Sequence, residues 1–164
     1  MKLHLVAYGK LKTPGLREAA DHYQKQLRPW VQLEETELKP LSVPDKSPAT
    51  RLRVQEKEME QLRQWLAQKV GPRGAYYVLD ETGKALPTQG WADMIRSWES
   101  GSLPDVALFV GSSLGFHTEF RRAARGVLSL GPQTLPHELA RVVVFEQLFR
   151  GFSVVRGHPY HNEG

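Results

Sequence analysis

The sequence predicts an α/β domain built on a largely parallel sheet flanked by helices, and three features carry that expectation. Nearly unbroken apolar runs at residues 2–8 (KLHLVAY), 75–79 (AYYVL) and 106–110 (VALFV) lack polar alternation, the pattern of strands covered on both faces. Between them apolar residues recur at helical spacing, so strand and helix alternate as parallel crossovers require. Gly9, Gly71-Pro72, Gly111 and Gly131-Pro132 punctuate the runs where the chain must turn. At 164 residues, a single domain over 1–164 can bury a sizeable core without staples.

In chain order, the first strand closes at Gly9 and the basic Lys10-Leu11-Lys12. Thr13 then caps a helix with Pro14 in its first turn, and Leu16, Ala20, Tyr23 and Leu27 repeat until Arg28-Pro29 stops it. Val31 to Leu38 reads as a strand whose Glu34, Glu35 and Glu37 make a solvated, aggregation-resistant edge. Residues 39–48, with three prolines, form a connecting loop. Ala49 to Val70 is an amphipathic helix, with Leu62, Trp65 and Leu66 inward and Arg51, Arg53, Lys57 and Arg63 on a wet face shared with glutamates.

After AYYVL a loop is expected at Asp80 to Lys84, where Asp80 is either a turn former or an acceptor for a ribose hydroxyl. Thr88 caps a helix through Glu99, and VALFV forms a second central strand. Gly111-Ser112-Ser113-Leu114-Gly115 leads from it to a helix between Phe116 and Arg125. That order turns backbone amides toward a ligand, but the residues match neither GxGxxG nor a Gly-Lys-Ser/Thr phosphate loop. Val127 to Leu130 is a further short strand. Ligands of open parallel sheets sit beyond strand carboxyl ends, which singles out Leu79, Gly111 and Leu130.

The last helix begins near Pro136 and is expected to end at Gly151. Leu139, Val142, Val143, Val144, Phe145, Leu148 and Phe149 surround its axis, so it needs cover on more than one side, from its own sheet or from a second copy. Glu146 interrupts this surface, and Arg150 can pair with it, either as an internal salt bridge or as a pair lining a pocket. Arg141 has no partner in local sequence other than Glu138. Val154-Val155 reads as a last piece of strand, after which Arg156, His158, Tyr160 and His161 crowd groups that bind phosphate, stack on bases or exchange protons. Such a tail is either a disordered end or a docked one, and the stiffness of Pro159-Tyr160 favours docking.

A net charge of +4 is compatible with a polyanionic partner without requiring one. The absence of cysteine excludes disulfides, thiolate metal sites and a cysteine nucleophile, and suits a reducing compartment. No run is long enough to cross a bilayer, and the amino-terminal residues lack a signal-peptide cleavage pattern, so a soluble cytoplasmic protein is expected.

The runs TLPHELARVVVFEQLFRGFSVVRGHPYH, VALFVG, YVLDETGK and KLHLVAYGKLK together closely resemble the small SPOUT-type methyltransferases called ribosomal RNA large subunit methyltransferase H. The resemblance covers nearly the whole chain. It implies an α/β domain with a carboxyl-terminal trefoil knot, and a homodimeric enzyme that uses S-adenosylmethionine to methylate N3 of a pseudouridine in 23S rRNA of the assembled ribosome. Periodicity alone could not reveal the knot, which general rules of chain topology make improbable.

By the same resemblance, the cofactor would touch Leu79, Gly111 and the loop Leu130, Gly131, Pro132, Gln133, Thr134 and Leu135, chiefly through backbone groups. Tyr160 and His161 would stand near the target base with His158 supporting them, and Arg141 or Arg156 would hold phosphate or developing negative charge. No metal is implied. A dimer would let one copy's tail reach the other copy's cofactor. The chain departs from the family where a pair of glycines is usual: it has Gly111-Ser112, then Ser113-Leu114, and Ser112 brings a β-carbon close to the expected ligand. That departure leaves open a ribosome-binding assembly factor without turnover. A tRNA methyltransferase of the same fold is a further alternative, although no added RNA-binding segment is evident. Cofactor binding with methyl transfer to ribosomes or to tRNA separates the three.

Overall fold

Five strands carry the architecture of the computed structural model, which describes residues 1–161: β1 (Lys2–Tyr8), β2 (Gln32–Leu38), β3 (Ala75–Ala85), β4 (Asp105–Val110) and β5 (Gly126–Ser129). All pairings are parallel, in the order β2-β1-β4-β3-β5. Helices α1 (Pro14–Leu27), α3 (Thr88–Ser100) and α5 (His137–Val155) cover one face, while α2 (Pro48–Lys69) and α4 (Thr118–Ala123) cover the other. Successive residues of a strand point to opposite faces. Leu3 and Leu5 of β1 therefore pack with Ile95, Phe145 and Phe152, whereas Val6 packs with Leu62, Trp65 and Phe120.

The last helix needs cover on more than one side, and its own fold supplies most of it: α1 and α3 flank α5 above the sheet. It does not end at Gly151 but runs four residues further, so Val154 and Val155 are helical instead of forming a strand. Gly151 is buried where α5 crosses α3, and a β-carbon there would lie 2.8 Å from Ile95 Cδ1 and 3.3 Å from Trp91 Cβ. The stop comes at Gly157, whose φ of 64° lets its amide reach the Val154 carbonyl and the His158 amide reach that of Ser153. Replacing Gly151 by alanine should lower stability by about 1–3 kcal/mol through overpacking, despite alanine's better helix propensity. Urea unfolding would measure it; a neutral or stabilising result would mean the two helices can separate freely.

Other boundaries shift for identifiable reasons. β3 continues through the expected loop at Asp80 to Lys84, because after a register irregularity Lys84 and Ala85 pair again with Leu128 and Ser129. The helix expected between Phe116 and Arg125 is only Thr118–Ala123, with His117 Nδ1 accepting from the Glu119 amide at its start. Thr13 occupies the cap position of α1, but its hydroxyl donates to Glu138 instead. Pro87, not Thr88, stands at the cap of α3.

The acidic edge of β2 is not simply solvated. Glu34 pairs with Lys2 on one face, but Glu35 and Glu37 turn toward α5, where Arg141 donates to them at 2.5 and 2.6 Å and to the Gly9 carbonyl at 3.1 Å. Arg17 of α1 adds a 2.7 Å bond to Glu35. Arg141 is completely buried, so the partner missing from its own stretch of sequence comes from more than a hundred residues away.

Candidate active site

A cavity of about 870 Å³ opens at the carboxyl ends of β4 and β5, beside the register irregularity that follows Leu79 in β3. Leu79, Gly111 and Leu130, the three residues singled out by sequence, all line it. Gly131, Gln133, Thr134 and Leu135 complete one wall, while Pro132 is exposed and lies outside the lining.

Local hydrogen bonds fix each wall. In the loop after β5, Ser129 Oγ accepts from the Gly131 amide at 3.0 Å and lies 3.2 Å from the Glu81 carbonyl. Thr134 donates to the Glu81 carboxylate at 2.7 Å, which ties the loop to β3. Gly131 sits at φ 128°, with open space where a β-carbon would stand, a conformation that favours glycine. Asp80 accepts from the Thr82 amide at 2.8 Å, from its hydroxyl, and from Arg121 at 3.4 Å. Against the burial that would raise it, these donors hold the Asp80 carboxyl below its ordinary value. Asp80 is thus a turn anchor, and its neighbour Glu81 is the freer carboxylate at the cavity.

The third wall, the loop Gly111 to Phe116, is held from a direction that sequence reading missed. Arg51, assigned to a wet helix face, and Gln55 one turn on donate to the Leu114 carbonyl at 3.1 and 2.7 Å and line the cavity. Arg121 and His137 also line it. No local pattern marks these residues, because the loop that Arg51 and Gln55 meet is about sixty positions away.

A family model described as "Predicted SPOUT methyltransferase" matches residues 1–161. The chain belongs to the SPOUT methyltransferase family. Among curated SPOUT relatives, "Ribosomal RNA large subunit methyltransferase H" of Streptococcus uberis is 32% identical over 162 residues, 98% of this chain and 99% of its own. The protein of the same name from Streptococcus gordonii is 34% identical over the same shares. Solved structures share the fold at low identity. A "probable methylase family protein" from Haemophilus influenzae aligns with TM-score 0.55 and 11% identity over 98% of this chain and 70% of that one. A "Probable Methyltransferase" from Bordetella pertussis gives 0.54 and 12% over 92% and 93%.

In this SPOUT domain the tail docks at a distance from the cavity. Tyr160 packs on Phe149 with ring centroids 4.4 Å apart and donates to Glu146 at 3.1 Å, with the Arg150 guanidinium 4.8 Å from its ring centroid. His161 lies 3.2 Å from Arg150, and His158 meets the Trp30 ring edge-on at 5.3 Å. Arg156 pairs with Glu99. Glu146 and Arg150 form the internal salt bridge, Nε to carboxylate 2.9 Å, and that bridge is also the seat of the tail. Burial first, then hydrogen bonding with Tyr23 and the charge of Glu146, push the Tyr160 phenol up to about 12.

Glu146 and Arg150 are nine and thirteen residues from His137, the helix residue at the cavity. At ~1.5 Å per residue, Tyr160 and His161 are therefore seated roughly 14–20 Å along α5 from it. Within one copy the expected cofactor residues other than Pro132 meet at the cavity, while Tyr160, His161 and His158 gather away from it, around Phe149 and Arg150. Arg141, fully buried in its ion pairs, serves the packing of α5 on β2.

Proposed function

We propose that this SPOUT methyltransferase transfers a methyl group from S-adenosylmethionine to N3 of a pseudouridine in large-subunit ribosomal RNA of the assembled ribosome, as a cytoplasmic homodimer. The observation that carries this reading is the cavity where Leu79, Gly111 and the Leu130–Leu135 loop meet, in a chain similar over 98% of its length to proteins named as ribosomal RNA large subunit methyltransferases.

The lining suits the cofactor. Leu79, Val110, Leu130 and Leu135 offer apolar surface for an adenine, and the glycine-containing loops bring backbone donors and acceptors beside it. Glu81, tied to Thr134, is placed for a ribose hydroxyl or an ammonium group. The cationic side chains Arg51 and Arg121 are engaged with Leu114 and Asp80, so the wall is better matched to a neutral base and a sulfonium than to a polyphosphate. When bound, the cofactor supplies an electrophilic methyl group, and alignment and exclusion of water are the protein's main tasks.

The acceptor nitrogen carries a proton that has to leave. Tyr160 remains protonated at neutral pH, so it is suited to donate a hydrogen bond to an oxygen flanking that nitrogen, and His161 and His158 are the groups able to take the proton. Arg156 lies at the surface, where its exchange from Glu99 to RNA phosphate is feasible. In this scheme Arg141 contributes only through the fold.

The distance between tail and cavity supports a site completed by a second copy. Leu139, Val143 and Val154 form a half-exposed apolar line along α5, with Glu146, Gln147 and Arg150 on the same side, and this is the face we assign to the partner. Incubation with labelled S-adenosylmethionine and assembled ribosomes, free ribosomal RNA or tRNA tests the reading. Methyl incorporation into ribosomes at a pseudouridine is the expected result, and labelling of tRNA alone would overturn it. Cofactor binding without transfer to any of the three would favour the assembly factor.

A further inference from the structure

Glu58 is a carboxyl group only 5% exposed, set among Val54, Leu62 and Trp65 on the inward side of α2. Burying a carboxyl costs stability unless it is bonded, and an apolar residue at this place would not carry that cost. Among the described residues, the donor to its side chain is the hydroxyl of Ser112, 3.0 Å from Oε2. The same hydroxyl accepts from the Leu114 amide at 3.3 Å, while the Leu114 carbonyl takes Gln55 and Arg51, and the Gly115 amide closes the turn on the Ser112 carbonyl at 3.0 Å. Arg51, Gln55 and Glu58 stand at i, i+4 and i+7, one side of a helix. Both ends of the Leu114 peptide are therefore set from α2.

We propose that Glu58 is a positioning residue for the cofactor loop, acting through Ser112: the bond turns the Ser112 side chain toward α2 and so keeps the Gly111–Gly115 turn in the shape that leaves the cavity open. This inference rests on the reading of the cavity as the S-adenosylmethionine site. Ser112 lines the cavity, and its hydroxyl points to α2 only while Glu58 accepts from it. Released, the side chain samples its other staggered positions and the Leu114 amide loses its acceptor. Burial raises the Glu58 carboxyl above its ordinary value and the Ser112 bond draws it back, as expected for a group whose main polar contact is that hydroxyl.

Isothermal calorimetry with S-adenosylmethionine, together with kcat and KM on ribosomes, tests the proposal on Glu58→Leu, Glu58→Gln, Ser112→Ala and the double variant Glu58→Leu/Ser112→Ala. Loss of the Glu58–Ser112 bond, shared by both variants, is expected to weaken cofactor binding and raise its KM by about tenfold in Glu58→Leu and in Ser112→Ala, with kcat at saturating cofactor nearly unchanged. Glu58→Gln, whose amide oxygen still accepts from the hydroxyl, should stay within about threefold of the parent, and the double variant should lose no more than either single one. Ser112→Ala tests the same bond if Glu58→Leu does not fold. Parent-like binding in both single variants, additive losses in the double, or a fall in kcat with KM unchanged would each overturn the proposal. A parent protein that binds no S-adenosylmethionine would instead reject the underlying reading of the cavity.

Discussion

Replacing Arg141 by leucine is expected to lower the stability of the fold by about 3–5 kcal/mol, the usual cost of removing one partner from a buried ion pair. Glu35 and Glu37 would remain beneath α5 with their principal cation gone, although Arg17 still reaches Glu35. Burial works to raise both carboxyls, yet Arg17 and Arg141 for Glu35, and Arg141 with the Leu11 amide for Glu37, hold them below their ordinary values. The sign of the pH dependence follows. A depressed folded-state value means that these acids stabilise the parent above their unfolded value of about 4.3, and that this contribution is lost as pH falls through the lower folded value. In the leucine variant the carboxylates are less favoured, held only by Arg17, Gln24 and the Leu11 amide, so the deficit should be greatest near neutral pH and shrink in acid as they protonate. Urea unfolding at fixed protein concentration across this range measures both effects. A variant as stable as the parent but defective in methyl transfer would return Arg141 to the role, holding phosphate or developing negative charge, that the family resemblance implies for it or Arg156.

Arg141 also marks where the sequence stops being legible. The central strands declared themselves because burial on both faces leaves a continuous apolar run, and β1 and β4 lie within a residue of where KLHLVAY and VALFV put them. Leu79, Gly111 and Leu130 were legible as cavity residues for a related reason, since a parallel sheet fixes on which side its loops gather, although β3 runs on past Leu79. Signals that depend on distant partners were not. Gly151 and Gly157 are the same letter, and only the packing of Ile95 and Trp91 distinguishes a helix contact from a helix stop. Glu35 and Glu37 look like a wet edge until α5 is laid over them. Arg51, Gln55 and Glu58 look like an ordinary charged helix until the loop after β4 is folded against it. The docked tail was half legible: Pro159 and Tyr160 signalled stiffness, while its seat on Phe149, Glu146 and Arg150 belongs to tertiary structure.

If one copy's tail completes the other copy's cavity, two inactive variants should rescue each other. Gly111→Val places a branched side chain where a β-carbon already comes within 3.0 Å of the Phe116 ring, and is expected to displace the loop and reduce transfer by about a hundredfold. Tyr160→Ala/His161→Ala removes the proton-handling groups, with an expected loss of about a hundredfold or more. When the two proteins are mixed in equal amounts and their subunits exchanged, roughly half of the dimers are mixed by simple statistics, and each holds one site built from an intact cavity and an intact tail. Activity should then rise to about a quarter of the parent's under that same closed two-fold arrangement. A tail that serves its own cavity predicts no rescue, because every site in the mixed dimer would lack one part. Light scattering supplies the independent check: a particle of twice 18.6 kDa is expected, and charge substitutions at Leu139 and Val143 should split it and abolish transfer together. A fully active monomer would leave Tyr160 and His161 far along α5 from the cavity, with no role in the chemistry.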